Sequence, residues 1–238
     1  MVHAKPARGG VSEGWARAAA ALPEAKRRQR ERAFWRALSR TWSWRRVVDA
    51  GCGAGFHLRL LADLGVQSCG FDVALAVLPR AASVVAADLL CPPLRARSFD
   101  AALCLGNTLA LLPTRAAQAQ ALRALAVLVR PGGTVLLQGE MTDALVRERP
   151  VARVRRLTGG SVHVRVFERT GRKVRLLAGV VTPGAEAGLA ETRLLPTSAA
   201  VVERLARRAG MRVAALPALP PAGATTWWLA LSAPSPGS

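Results

Sequence analysis

The stretch Val47-Val48-Asp49-Ala50-Gly51-Cys52-Gly53-Ala54-Gly55 decides the fold. Val47, Val48 and Ala50 have the composition of a short buried strand, alternate glycines end it, and Leu58 to Leu64 carries helical spacing. A strand, a glycine turn and a helix in this order let a ligand approach the backbone closely and bring amide N–H groups to a helix N-terminus. The spacing excludes two common ligands. A dinucleotide fingerprint needs glycine or alanine at 56, where Phe56 stands, and no Gly-Lys-Ser/Thr follows for a P-loop. Asp49, two residues before the first glycine, would repel a pyrophosphate but attract a cationic amino group. The turn therefore suits an amino-acid-bearing nucleoside.

Downstream, strands are expected at Ser68 to Asp72, Val84 to Ala87 and Phe99 to Leu105, each separated by a helix or loop. Such alternation predicts a mostly parallel sheet with helices on both faces. A helix from Ala116 to Val129 should stop at Pro131-Gly132-Gly133, and a fifth strand, Thr134 to Gln138, runs on to Glu140. Residues 143–196 break the rhythm. Val162, Val164 and Val166 alternate with His163, Arg165 and Phe167, a turn spans Arg169 to Arg172, and Val174 to Val181 returns as the second arm of an inserted antiparallel hairpin. Thr197 or Ser198 should cap a helix to Ala209, with strands at Met211 to Leu216 and Thr226 to Ser232 after it. Upstream, residues 1–12 lack any period. A helical pattern from Trp15 to about Arg40, broken near Pro23, sets Phe34, Trp35 and Leu38 opposite Arg28, Arg32 and Arg36. The chain thus divides into basic N-terminal helices with a loose start (1–46), a core (47–142), an inserted hairpin acting as a lid (143–196) and a completion of the core sheet with a loose tail (197–238).

The 238 residues are 51% hydrophobic, enough for one sizeable core. Asp, Arg or Gly interrupts every apolar run before the roughly 20 residues a bilayer span needs. No membrane association is expected, and the N-terminus lacks the apolar segment of a signal peptide. Cys52, Cys69, Cys91 and Cys104 have neither metal-ligand spacing nor the density of a disulfide framework, so reduced thiols, a cytoplasmic location and no metal site are expected. The net charge is +19, distributed as +9 over residues 1–46, +1 over 47–142 and +9 over 143–238. Basic ends suit RNA phosphates. However, 31 Arg against 3 Lys, with no Ile, no Tyr and one Asn, has the look of coding bias toward Arg and Ala.

Asp72 closes the second strand 21 residues after Gly51, where a carboxylate can accept hydrogen bonds from both hydroxyls of a ribose. Asp88 follows the third strand similarly, although it also suits a turn cap. Residues 47–55, Gly-Phe-Asp-Val (70–73), Ala-Asp-Leu (87–89), Ser-Phe-Asp-Ala-Ala-Leu-Cys-Leu-Gly-Asn-Thr-Leu (98–109) and Leu-Val-Arg-Pro-Gly-Gly-Thr-Val-Leu (128–136) resemble, in order and spacing, the successive motifs of class I S-adenosylmethionine-dependent methyltransferases. The resemblance is strong over 47–140 and weak over 197–232. It implies a Rossmann-like seven-stranded sheet with the last strand antiparallel and S-adenosylmethionine as cofactor. By that resemblance Asp49 and the loop Gly51, Cys52, Gly53 and Gly55 hold the methionine moiety, Asp72 the ribose, and Asp88 and Leu89 the adenine. Val73 packs on the adenine ring and Leu105 lines the site.

His57 is either a cofactor contact or a surface histidine. Asn107, after the fourth strand, either faces the acceptor or caps the next helix, and Glu140 is a second candidate for acceptor binding. Glu140, Asp143 and His163 are candidate general bases by position, with no catalytic residue fixed. The Asn/Asp-Pro-Pro-Tyr/Phe signature of base-modifying amino-methyltransferases is replaced by Leu105-Gly106-Asn107-Thr108, which favours a small-molecule acceptor. RNA is the alternative acceptor, and a non-catalytic S-adenosylmethionine-binding protein is the alternative outside enzymes.

Overall fold

The computed structural model describes residues 24–80, 83–141, 146, 149–184, 189–221 and 225–234. The expectations for residues 1–23, for Asp143 and for the last four residues lie outside them. In chain order the elements are α1 (Ala25–Thr41), β1 (Arg46–Ala50), α2 (Phe56–Ala62), β2 (Gln67–Asp72), β3 (Val84–Ala86), β4 (Phe99–Cys104), α3 (Thr108–Leu111), α4 (Arg115–Leu128), β5 (Val129–Glu140), β6 (Val151–Arg156), β7 (Val162–Thr170), β8 (Lys173–Val181), β9 (Ala190–Leu194), α5 (Ala199–Arg208), β10 (Arg212–Ala214) and β11 (Thr226–Ser232).

Seven strands form the main sheet in the order β10-β11-β5-β4-β1-β2-β3. Pairings from β5 to β3 are parallel, whereas β11 runs antiparallel to both neighbours. The chain leaves β1 toward β3 and returns to β4 on the opposite side of β1, so the order reverses between β1 and β4. In open sheets of this kind a crevice opens at such a reversal, beyond the carboxyl ends of the strands.

Strand periodicity builds the two cores. Val48, Ala50, Ala102, Cys104, Val135 and Leu137 pack on one face with Leu122 and Leu125 of α4 and Val202 of α5. Their neighbours Val47, Ala101, Leu103 and Leu136 pack on the other with Phe34, Trp35 and Leu38 of α1 and Leu60 and Leu61 of α2. Thr114 caps α4 by accepting from Ala117 N–H, and Ser198 rather than Thr197 caps α5.

Two expectations need correction. α4 ends at Leu128, because Val129 is already extended and paired with Phe99. Pro131-Gly132-Gly133 is a bulge inside β5, where a Cβ on Gly133 would lie 2.9 Å from the carbonyl oxygens of Arg130 and Asp100. Secondly, the inserted hairpin, β7 and β8, is flanked by β6 and β9 in a four-stranded antiparallel sheet. Its buried face is the one bearing His163, Arg165 and Phe167, not the valine face. Phe167, Val174, Leu176, Ala178 and Leu194 pack against Ala110, and Leu195 N–H donates to the Ala110 carbonyl at 2.7 Å, fixing this sheet to α3.

Candidate active site

Asp49, the penultimate residue of β1, is almost completely buried, and its Oδ2 has no hydrogen-bond partner among the described residues. A buried carboxylate oxygen left without a donor is destabilising, and a bound cationic group would relieve it. The nearest cation-capable group is His57 of α2, whose Nδ1 lies 3.6 Å away. His57 is buried rather than on the surface, stacked beside Trp35 and Phe56. Its Nε2 is 3.3 Å from Arg27 Nη2 of α1. A guanidinium only donates, so Nε2 accepts and the ring proton sits on Nδ1, facing Asp49. Arg27 is fixed in turn by Glu31 (2.8 Å), which also accepts from Trp35 Nε1 at 3.3 Å. Sequence reasoning missed Arg27 and Glu31. The only signal was acidic Glu31 on the apolar stripe of α1.

The glycine loop works by shape. Gly51, Gly53 and Gly55 have φ of 77°, 50° and 79°, a region other residues rarely adopt. The amides of Gly51 and Cys52 donate to Phe71 O, that of Gly53 to Asp72 Oδ2 and that of Gly55 to Cys52 O. Each of these four turn amides is already bonded within the fold. What remains is space: a Cβ on Gly53 would meet nothing within 4 Å, whereas one on Gly51 would strike Thr108 at 2.6 Å. The start of α3 is thus pressed against the loop. Cys52 packs its thiol beneath, where a Cβ on Gly70 would lie 2.9 Å from the sulfur. Burial and the nearby Asp49 push that thiol far up, so it is no nucleophile.

Asp72 ends β2 beside the loop. Its Oδ1 accepts from Ala74 N–H and its Oδ2 from Gly53 N–H, both at 2.9 Å, leaving lone pairs on both oxygens. Burial raises its pKa, while those two N–H donors oppose the rise. Val73 is exposed next to it, and Leu89 is buried. Asp88 follows β3 and holds a turn by accepting from Leu90 N–H at 2.9 Å. Leu105 lies within the core beside Leu103 and Trp35.

Asn107 does not cap α3. It adopts φ 73° and its Oδ1 accepts from Glu140 N–H at 2.5 Å, tying the end of β4 to the end of β5. Gly106 N–H donates to Gln138 Oε1 at 2.7 Å on the same edge. Glu140 accepts from Arg153 of β6 and from Thr225 Oγ1. His163 is buried on the inner face of β7, opposite Arg155 and Val180. The loop, Thr108, Asn107, Glu140 and Arg153 therefore run as one contact chain from the main sheet to the second sheet. Among the described residues no group of three or more His, Cys, Asp or Glu comes together as a metal site, and no helix is long and apolar enough to cross a membrane.

Residues 48–137 match the family model of the methyltransferase domain. Among solved structures, CcbJ methyltransferase from Streptomyces caelestis shares 20% identity over 91% of this chain and 92% of its own, with a TM-score of 0.70. KedS8, a sugar N-methyltransferase from Streptoalloteichus, shares 20% over 99% and 96%, also with a TM-score of 0.70. CalS10, an amino pentose methyltransferase from Micromonospora echinaspora solved with S-adenosylmethionine bound, shares 22% over 95% and 94%, with a TM-score of 0.57. No curated protein sequence matches the chain. At these identities the likeness to the solved structures identifies the fold and not the acceptor.

Proposed function

We propose that this chain, whose residues 48–137 match the methyltransferase domain, is a class I S-adenosylmethionine-dependent methyltransferase that methylates a nucleophile on a small molecule held beneath the second sheet. The observation that carries this reading is the contact chain from the glycine loop through Asn107 and Glu140 to Arg153, which joins the glycine loop at the strand-order reversal to the second sheet. Solved relatives described as sugar and amino pentose methyltransferases support an acceptor of that size.

The residues present fit the cofactor. The undonated Asp49 oxygen suits the ammonium of its methionine moiety, and the Gly51 to Gly55 turn leaves room at Gly53. Asp72 retains lone pairs for the ribose hydroxyls, while Asp88, Leu89 and exposed Val73 border the adenine end. When bound, S-adenosylmethionine supplies a methyl group already activated by its sulfonium. The chain's contribution is positional. Asp49 and Asp72 fix the donor, α1 and the second sheet exclude water, and Asn107 with Glu140 shapes the acceptor side. Glu140 is engaged by Arg153 and Thr225, so it orients rather than removes a proton, and no general base is assigned.

The test is methyl transfer from labelled S-adenosylmethionine to separated small-molecule, RNA and protein fractions. Label should enter the small-molecule fraction. Label confined to RNA would replace the acceptor reading, and tight cofactor binding without label in any fraction would favour a non-catalytic binding protein.

A further inference from the structure

The inner face of the second sheet carries a cluster of three arginines, Arg153, Arg155 and Arg165. Register pairs Arg153 with Arg165 and Arg155 with His163 across β6 and β7, so all four side chains lie on the face of the sheet that packs against α3. The guanidinium carbons of Arg153 and Arg165 each lie 5.8 Å from the centroid of Phe167, whose ring is fully buried on that face. Among the described residues the one carboxylate that reaches the three arginines is Glu140, and Arg153 already binds it. Among the described residues neither Arg155 nor Arg165 forms an ion pair.

Coding bias does not account for this arrangement. On the outer face of the same sheet two of the arginines meet acids: Arg175 pairs with Glu168 and Glu191, and Arg193 with Glu191, while Arg156 has no ion pair among the described residues. Like charges directly opposite on paired strands destabilise a sheet, more so when half-buried. Arg165 feels this directly, since burial, with Arg153 and Arg155 nearby, lowers its pKa against the opposing pull of Glu140. Charges arranged at such a cost on the wall of a crevice are a signature of binding.

We infer that the acceptor carries an anionic group, of the phosphate or carboxylate kind, seated against Arg153, Arg155 and Arg165 while its nucleophile faces Asn107 and the glycine loop. This inference rests on the methyltransferase reading for the word acceptor, though the anion site itself does not. Glu140 then has a defined part. It holds Arg153 in place and repels anions from the methyl-transfer end, so the acceptor enters in one orientation.

The experiment titrates pyrophosphate and, separately, citrate into the full chain by calorimetry, with and without S-adenosylhomocysteine. Saturable one-to-one binding of at least one probe is expected, with pyrophosphate alone indicating a phosphate-type group and citrate alone a carboxylate-type group. Arg155→Gln and Arg165→Gln should each weaken it roughly tenfold or more, the scale of a charge-assisted hydrogen bond. Arg156→Gln, on the outer face, should stay within about twofold, as exposed charges do. Arg155 is exposed, so its variant stays informative even if Arg165→Gln fails to fold. Binding of neither probe, or equal weakening by Arg156→Gln, overturns the inference. Failure of S-adenosylhomocysteine to bind while pyrophosphate or citrate still does overturns the methyltransferase reading instead.

Discussion

Asp49 and Asp72 are both carboxylates at strand ends, yet their surroundings set them different tasks. Asp49 is buried with one oxygen undonated and His57 as its neighbour, so it is poised for a cation. Asp72 is held by two backbone N–H groups and offers its remaining lone pairs to hydroxyls. Asp72→Ala should therefore weaken S-adenosylhomocysteine binding by about 1.5–3 kcal/mol, the range of hydrogen bonds to charged groups; unchanged affinity in calorimetry would remove Asp72 from the site. The pH dependence has a definite sign. Burial raises Asp72 in the folded chain, so its ionisation is harder there than in the unfolded chain. Folding stability thus falls as pH climbs from the ordinary carboxylate value through the raised one. Cofactor binding needs the ionised form, so affinity should rise over that same window and level off above it. In Asp72→Asn the part of the acid limb due to this residue should vanish, and an identical limb in the variant would assign it elsewhere. These two aspartates were legible in the sequence because strand-end position and glycine spacing are local. His57 was not, because its burial depends on α1, a segment distant in sequence.

Among the elements, α1 shows most clearly how packing and site are joined. Phe34, Trp35 and Leu38 fill the core on the face of β1 and β4, and Trp35 also donates to Glu31, which fixes Arg27 against His57. Trp35→Ala should lower stability by about 3–5 kcal/mol, the cost of emptying a large buried aromatic site. Chemical denaturation reads it directly, and a loss below about 1 kcal/mol would mean that α1 is not part of the folding unit. Strands β1, β4 and β5 were readable because both faces of a parallel sheet are covered there and short apolar runs mark them. β6 and β9 were not. Val-Ala-Arg-Val-Arg-Arg (151–156) and Ala-Glu-Thr-Arg-Leu (190–194) place charges where an apolar alternation would announce a strand. The same charges mislead about the inward face of β7, which holds His163 and Arg165 beside the buried Phe167.

For the whole molecule, the +19 charge poses the question of RNA. Recognition of single-stranded RNA needs more than positive charge: bases must stack on accessible aromatic faces. Among the described residues Trp35, Trp44, Trp227, Phe34, Phe56, Phe71, Phe99 and Phe167 are buried, and Trp42 and Trp228 are half-buried against the core beneath α1. None offers an open ring beside a basic stripe. The charge can therefore attract phosphates without reading a base. Binding of a labelled single-stranded oligonucleotide, followed by fluorescence anisotropy, should accordingly be indifferent to sequence. If six to ten phosphates are contacted, it should weaken by roughly a thousandfold or more between about 50 and 200 mM salt. Cofactor affinity, set by buried Asp49 and half-buried Asp72, should change less over the same range, because buried charges are screened far less than exposed ones. Oligonucleotide binding that survives the higher salt and tightens when S-adenosylhomocysteine is present would contradict this. It would mean that the arginines of the second sheet grip a polynucleotide next to the methyl donor, and that the crevice accepts a strand rather than a small anion.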